Sequence, residues 1–309
     1  MKIGFFGTPE YSAKLLKELI ESNQEISFVV TNPDKPFGRD RKLKPSPVKE
    51  VAISHNVPVF QYDSIKKVEN PEFKNIPTDL YFVFAYGGII PRSIFDIPKL
   101  GTINLHGSLL PQFRGASPIQ SAILANKTET GATLQYIVEE LDAGDIISQE
   151  KFSIDITDNF PSLIEKLTQA GKNLLLEFIS QNPKDRVAAT KQDVSKASFC
   201  KKIKPEETKL DLGLTALEFH NKVRAFYPDN TAFAHFRGKR LNICQTEFLD
   251  ETIDLPVGTI FPLDKKTPAI VCGDNRIVRL KLLQQEGKKV LSGSDFLNGS
   301  KLVTGEKIQ

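Results

Sequence analysis

The chain has 309 residues, 40% of them hydrophobic and 26% charged, with a formal net charge of +3. That balance excludes a disordered chain, and it makes no global charge argument for nucleic acid, so any such argument must rest on local clusters. Single cores stop growing at about 250–300 residues, so a larger domain joined to a smaller one is the expected plan.

The opening MKIGFFGTPE reads as a short apolar strand and a turn. It lacks the longer apolar core and cleavage site of a secretory signal, so the mature protein is expected to begin at Met1. Gly7-Thr8-Pro9 has no Gly-x-Gly-x-x-Gly spacing, which argues against a dinucleotide cofactor, but it offers a helix start. PEYSAKLLKELIES follows as a helix with Leu15, Leu16, Leu19 and Ile20 as its apolar residues. ISFVVT is a strand, SPVKEVAISHN a helix and PVFQY a strand, which is βαβαβ order. DLYFVFAY precedes Gly87-Gly88, and a short helix around residues 91–95 leads into the strand GTINLHG.

Strands apolar along their whole length are expected where helices cover both sheet faces. The predicted class is therefore α/β, with a doubly wound, mostly parallel, Rossmann-like sheet. Ligands of such sheets sit outside the carboxyl ends of the strands, where residues 31–44, 86–90 and 104–111 emerge.

The densest chemistry lies in GTINLHGSLLPQFRGASPIQ. Asn104 and His106 are spaced i, i+2 on a strand, so they point to the same side, and an amide and an imidazole can reach one reacting atom. Downstream, GATLQYIVEELDAGDII supplies Asp142 in a Leu-Asp-Ala-Gly-Asp turn, an acidic partner of the kind a working imidazole uses. A lone histidine on an apolar run is more often a satisfied core residue, and an aspartate in a turn is ordinary. Asn104, His106 and Asp142 together reverse that reading; Asp145 remains a turn residue.

PSLIEKLTQAGKNLLLEFISQ reads as the last long helix of the first domain, followed by a polar, lysine-rich, weakly periodic stretch. The expected partition is a catalytic domain over 1–183, a linker over 184–205 and a second domain over 206–309. The second domain begins with the helix TALEFHNKVRAFYP and continues in short strand-like segments, TAFAHF, KRLNICQTEF, GTIFPL, PAIVCG and RIVRLKLLQQEG, the pattern of a small β-barrel. GKKVLSGSDFLNG would cap it. Cys200, Cys244 and Cys272 are widely spaced and odd in number, as expected of structural thiols in a reduced, cytoplasmic protein. No apolar run approaches the ~20 residues that span a bilayer, so no membrane association is expected. His55, His106, His220 and His235 lack short ligand spacing, so no metal is expected.

GTPE, PDKPFGRDRKLKPSPVK, AYGGIIP, NLHGSLLPQFRGASPIQ, LDAGD, RAFYP and PVGTI together resemble the methionyl-tRNA formyltransferase family over nearly the whole chain. The Asn-x-His core with Ser-Leu-Leu-Pro is shared more widely by enzymes that use 10-formyltetrahydrofolate; the basic loop and second domain narrow the resemblance. It implies formyl transfer from 10-formyltetrahydrofolate to the α-amine of methionine on initiator tRNA, with Asn104, His106 and Asp142 as catalytic residues. An α-amine with a pKa of ~7.7–8.0 is partly neutral near pH 7 and can attack directly. A donor placed at the developing oxyanion is worth roughly 2.7–4 kcal/mol, and Asn104 is expected to be that donor.

The resemblance further implies folate binding at Ser108, Leu109, Leu110 and Pro111 and at the turn of Tyr86, Gly87, Gly88, Ile89 and Ile90, since a pterin needs apolar walls and close backbone. It implies tRNA binding by the loop carrying Lys35, Arg39, Arg41, Lys42 and Lys44, and by the OB-like barrel with Lys201, Lys202, Lys204, Arg237, Lys239 and Arg240 around it. The chain departs from the family in two places. Gln112-Phe113-Arg114-Gly115 stands where Arg-Trp-Arg-Gly is common, and Asp40 stands where Gly is common. One crevice and one RNA surface need no partner chain, so a monomer is expected. Two alternatives remain open at this point: formylation of an amino sugar nucleotide, and a catalytically silent RNA-binding module.

Overall fold

In the computed structural model the described residues are 1–37, 41–264, 266–303 and 305–309. The amino-terminal part alternates as its apolar pattern predicts: β1 (Lys2–Gly7), α1 (Glu10–Glu21), β2 (Glu25–Thr31), β3 (Lys35–Phe37), β4 (Lys42–Lys44), α2 (Pro47–Ser54), β5 (Val59–Gln61), β6 (Leu80–Phe84), α3 (Arg92–Phe95) and β7 (Thr102–His106). It continues through β8 (Arg114–Gly115), α4 (Pro118–Leu124), β9 (Glu129–Tyr136), β10 (Ile146–Ser153), α5 (Phe160–Ser180) and β11 (Phe199–Cys200).

The first sheet has the order β10-β9-β7-β6-β1-β2-β5. Its pairs from β5 to β7 are parallel, and β9 joins β7 antiparallel. This is a Rossmann-like, mostly parallel sheet with an antiparallel flank. Phe6, Phe28, Phe73 and Tyr81 are buried at its heart, with Phe28 and Phe73 stacked at 4.8 Å. Helix α1 buries Leu15, Leu16 and Leu19. Helix α2 begins at Ser46, whose Oγ accepts from the Lys49 N–H, with Pro47 at the first helical position, where a missing N–H costs nothing.

The remainder comprises α6 (Ala216–Phe226), β12 (Phe233–Phe236), β13 (Lys239–Thr252), β14 (Thr259–Pro262), β15 (Pro268–Val271), β16 (Arg276–Gln285), β17 (Leu291–Ser292), α7 (Gly293–Ser300) and β18 (Glu306–Lys307). The sheet runs β12-β13-β16-β15-β14-β18, and its neighbouring strands pair antiparallel. Its two ends meet where Phe236 bridges Ile308 and the His235 and Gln309 backbones exchange hydrogen bonds, which all but closes a barrel. Thr215 and Glu218 cap α6 reciprocally.

The chain forms two compact units: residues 1–118, 130–152 and 164–200 in one, residues 119–129, 153–163 and 201–309 in the other. Short strand β11 pairs in parallel with β8 inside the first unit, so part of the lysine-rich stretch read from sequence as a linker is tied to that unit's β7–β8 region. No helix among the described residues is long and apolar enough to cross a membrane.

Candidate active site

Strand β7 places Asn104 opposite Gln135 of β9 and His106 opposite Thr133. Directly opposed residues of an antiparallel pair share a face, and i, i+2 spacing puts Asn104 and His106 on that same face. Asn104 is half-buried, whereas His106 is 5% exposed. The His106 Nε2 lies 2.9 Å from the Phe113 carbonyl oxygen. A carbonyl only accepts, so Nε2 carries the hydrogen. The other nitrogen, Nδ1, stands 3.6 Å from Asp142 Oδ2.

Asp142 occupies the turn between β9 and β10 at φ 51°, a left-handed conformation that aspartate tolerates better than most residues. Its Oδ2 accepts from the Gly115 N–H at 2.9 Å and its Oδ1 from the Gln135 amide at 3.1 Å. Two glycines make the arrangement possible. A Cβ on Gly144 would overlap the Tyr136 carbonyl, and one on Gly115, at φ 123°, would overlap the Cys200 carbonyl. The structure therefore brings His106 and Asp142 together and sets Asn104 two residues along the same strand face.

Four groups around this pair are not among the site residues read from the sequence. The Phe113 carbonyl orients the imidazole; it is a backbone acceptor, which any residue supplies. Arg114 is buried with its Nε 3.0 Å from Gln192 Oε1. Gln135 is 2% exposed on β9. Gln192 comes from the stretch between α5 and β11 and donates to the carbonyls of Asp142 and Gly144 at 2.8 and 2.7 Å. A polar residue alternating inward on a strand, as Gln135 does, is the one local signal among them.

Of the residues expected to hold folate, several are spoken for by the protein. Ser108 is fully buried and its hydroxyl donates to the Gln112 carbonyl at 2.5 Å. The Leu110 N–H donates to Thr133 Oγ1, and the Leu110 carbonyl accepts from Gln149. Leu110 itself is buried, Leu109 is half-buried, and the Leu110–Pro111 peptide is cis. Tyr86 and Ile90 pack into the apolar core, and burial pushes the Tyr86 hydroxyl up to about 12. Ile89 is 70% exposed, and Gly87 takes φ 83°. What this turn offers outward is Ile89 and backbone. The Tyr86 carbonyl accepts from Thr8 Oγ1 at 2.9 Å and from Asn32 at 3.2 Å, which ties the carboxyl-end loops of β1, β2 and β6 to one another.

The basic segment is a hairpin, not an open loop. Lys35 pairs with Lys44 and Phe37 with Lys42, so Lys35, Lys42 and Lys44 share a face by the period-two rule. All three are exposed, as is Arg41; Arg39 lies outside the described residues. At the hairpin's root the Lys49 ammonium grips Asp34 at 2.9 Å and Gln61 at 2.7 Å, and this holds the Asp34 carboxyl below its usual range. In the second unit Arg237 is engaged by Glu306 at 2.7 Å and Arg240 lies 3.8 Å over the Phe233 ring, while Lys201, Lys202, Lys204 and Lys239 are exposed. Among the described residues no group of three or more His, Cys, Asp or Glu is arranged to hold a metal ion.

Residues 1–179 match the formyl transferase family and residues 202–301 its C-terminal domain. The chain is 46% identical over 312 residues to the methionyl-tRNA formyltransferase of Leptospira interrogans serovar copenhageni, with 99% of both chains covered. It is 38% identical over 311 residues to that of a Sulfurihydrogenibium species, with 100% of both covered. Among solved structures, HypX from Aquifex aeolicus in complex with tetrahydrofolic acid matches with a TM-score of 0.68 at 19% identity over 96% of this chain, which spans 47% of that one. At that identity the likeness concerns the fold.

Proposed function

Because the chain belongs to the methionyl-tRNA formyltransferase family and is a formyl-transferring enzyme, we propose that its site moves the formyl group of 10-formyltetrahydrofolate to the α-amine of methionyl initiator tRNA by direct attack. The neutral amine adds to the formyl carbon, and the carbonyl electron pair moves to oxygen. Asn104 donates a hydrogen bond to that oxyanion. The proton of the new ammonium passes to His106, and collapse of the tetrahedral adduct returns a proton to the departing tetrahydrofolate nitrogen.

One observation carries the role given to His106: Nε2 is committed to the Phe113 carbonyl, and Nδ1 faces Asp142 at 3.6 Å. That leaves Nδ1 as the nitrogen that exchanges the proton, with a carboxylate beside it to stabilise the imidazolium while it exists. The folate lies in this reading against Ile89 and the backbone of residues 86–90 and 108–111, with Leu109 as a further apolar wall. Residues 1–183 form the catalytic domain and 206–309 the tRNA-binding domain, joined through 184–205. The hairpin face of Lys35, Lys42 and Lys44, with Arg41 beside it and Arg39 assigned to the same role from sequence alone, grips phosphate. An anion laid across three lysines on one face relieves their mutual repulsion. The enzyme works as a cytoplasmic monomer and uses no metal.

Radiolabelled formyl transfer, with methionyl initiator tRNA, free methionine and an amino sugar nucleotide offered as competing acceptors, tests the reading. Label is expected in the charged tRNA, with a rate that falls steeply as salt is raised. Label in the amino sugar would overturn the acceptor assignment, and no transfer at all would overturn the enzyme reading.

A further inference from the structure

Between the buried guanidinium of Arg114 and the carboxylate of Asp142 lie two side-chain amides whose orientation is dictated from one end. Guanidinium groups only donate, so the Arg114 Nε contact at 3.0 Å fixes the near atom of Gln192 as its oxygen. The Gln192 NH2 must then face away. There its two hydrogens serve the Asp142 and Gly144 carbonyls at 2.8 and 2.7 Å, and the Gln135 Oε1 shares the same nitrogen in a longer contact at 3.2 Å. With its oxygen so engaged, Gln135 turns its own NH2 onto Asp142 Oδ1 at 3.1 Å. Reversing the Gln192 amide would set oxygen against oxygen at three acceptors and hydrogen against hydrogen at Arg114.

The polarity of the chain thus runs one way, from Arg114 to Asp142. It ends on Oδ1 and leaves Oδ2 for the Gly115 N–H and for His106. The turn it secures has Asp142 in the left-handed region at φ 51°, a conformation that persists where surrounding contacts over-determine it.

We propose that Gln192 is a positioning residue for formyl transfer: through Gln135 and the two turn carbonyls it holds the Asp142 carboxylate with Oδ2 aimed at His106 Nδ1. The inference rests on the reading of His106 and Asp142 as the proton-handling pair. Gln192 touches neither substrate. Its work is done by a side chain that accepts at one end and donates at the other, at this length. Glutamate keeps the acceptor for Arg114 and lacks the donors, and alanine lacks both.

The test compares Gln192→Glu, Gln192→Ala, Asp142→Asn and the double variant Gln192→Glu/Asp142→Asn in steady-state transfer to methionyl initiator tRNA, with thermal melts as the folding control. A small displacement of a catalytic group lowers turnover by up to about 100-fold. Each Gln192 variant is expected to lose about 10- to 100-fold in kcat, with KM for both substrates within about 3-fold. The double variant is expected within about 3-fold of Asp142→Asn alone, because groups that act as a unit are not additive. A Gln192→Glu enzyme turning over within about 3-fold of wild type, or a double variant showing the product of the two losses, overturns the proposal. Near-normal turnover by Asp142→Asn overturns the underlying reading of the site instead, so the two failures are distinguishable.

Discussion

His106 in the first unit and His220 in the second are buried to the same degree, each 5% exposed, and in each the Nε2 sits 2.9 Å from a backbone carbonyl. They part at the other nitrogen. The His220 Nδ1 lies 2.8 Å from the Thr246 hydroxyl, which can donate to it. The ring is then neutral with both nitrogens satisfied, and burial above all, with the Arg224 charge adding to it, holds its pKa below the ordinary 6.5. The His106 Nδ1 faces a carboxylate just beyond bonding distance. Burial and polar contacts are therefore the same in both and identify neither as reactive. What differs is the partner of the second nitrogen: under the proposed mechanism a hydroxyl in contact closes the ring's proton chemistry, and a carboxylate slightly out of contact keeps it available.

The sharpest way to break this comparison is to make the same substitution at both histidines. His106→Gln is expected to lower kcat for formyl transfer by about 1000-fold, the middle of the range for removing a general acid or base. His220→Gln is expected to leave kcat within about 2-fold, since that ring has no part in proton handling. Single-turnover rates with methionyl initiator tRNA measure both. Comparable losses in the two variants would show that burial, not the identity of the second partner, is what matters.

How much of this contrast could be read beforehand depends on which residues carry it. Strands β1, β2 and β6 announce themselves because they are apolar along most of their length, as expected where helices cover both sheet faces, and β7 because Ile103 and Leu105 alternate with polar residues at the strand period. Strand β9 does not. It buries Thr130, Thr133 and Gln135; Thr133 meets the Ser108 carbonyl, the Leu110 N–H and Gln149, and Gln135 meets the nearby Asp142 and, from 57 residues away, Gln192. The β3–β4 hairpin carries lysines with no apolar alternation, so it reads as a loop. At the site, Asn104 and His106 were legible because strand geometry alone makes them neighbours, and Asp142 because of its turn. Gln192 was not, since its segment is placed by Thr190 bridging Ile146 and by β11 pairing with β8, contacts with no counterpart in local pattern. The Phe113 carbonyl was not, because a backbone acceptor leaves no trace in residue identity.

The second contrast is between two buried arginines. Arg114 donates to an amide that leads to the site, whereas Arg224 donates through Nη1 to the Asp155 and Asp158 carbonyls at 3.0 and 2.8 Å and through Nε to Asn221 at 2.9 Å. Arg224→Leu would deprive these three acceptors of a charged donor, each loss costing about 1–3 kcal/mol, for a total of at least roughly 3 kcal/mol. Urea unfolding followed by circular dichroism is expected to show that loss in the transition of the second unit. A midpoint within error of wild type would mean the carbonyls find other donors at no cost.

The smallest effect sharpens the comparison at His220 itself. A depressed pKa means that the folded state binds the proton less readily than the unfolded chain does. The stabilisation is therefore complete above the unfolded value of 6.5 and is lost as pH falls from there through the lower folded value. Protonating Nδ1 would reverse the Thr246 hydrogen bond and place a second cation beside Arg224, a change on the order of 1 kcal/mol. Because other groups titrate in the same range, the useful quantity is the difference in unfolding free energy between wild type and His220→Gln, followed from pH 8 to pH 5. It is expected to stay flat down to about pH 7 and then move against wild type as the solution becomes more acidic. A difference that is constant over the whole range would mean that His220 meets the same environment folded and unfolded. The neutral, closed ring on which the contrast with His106 is built would then be wrong.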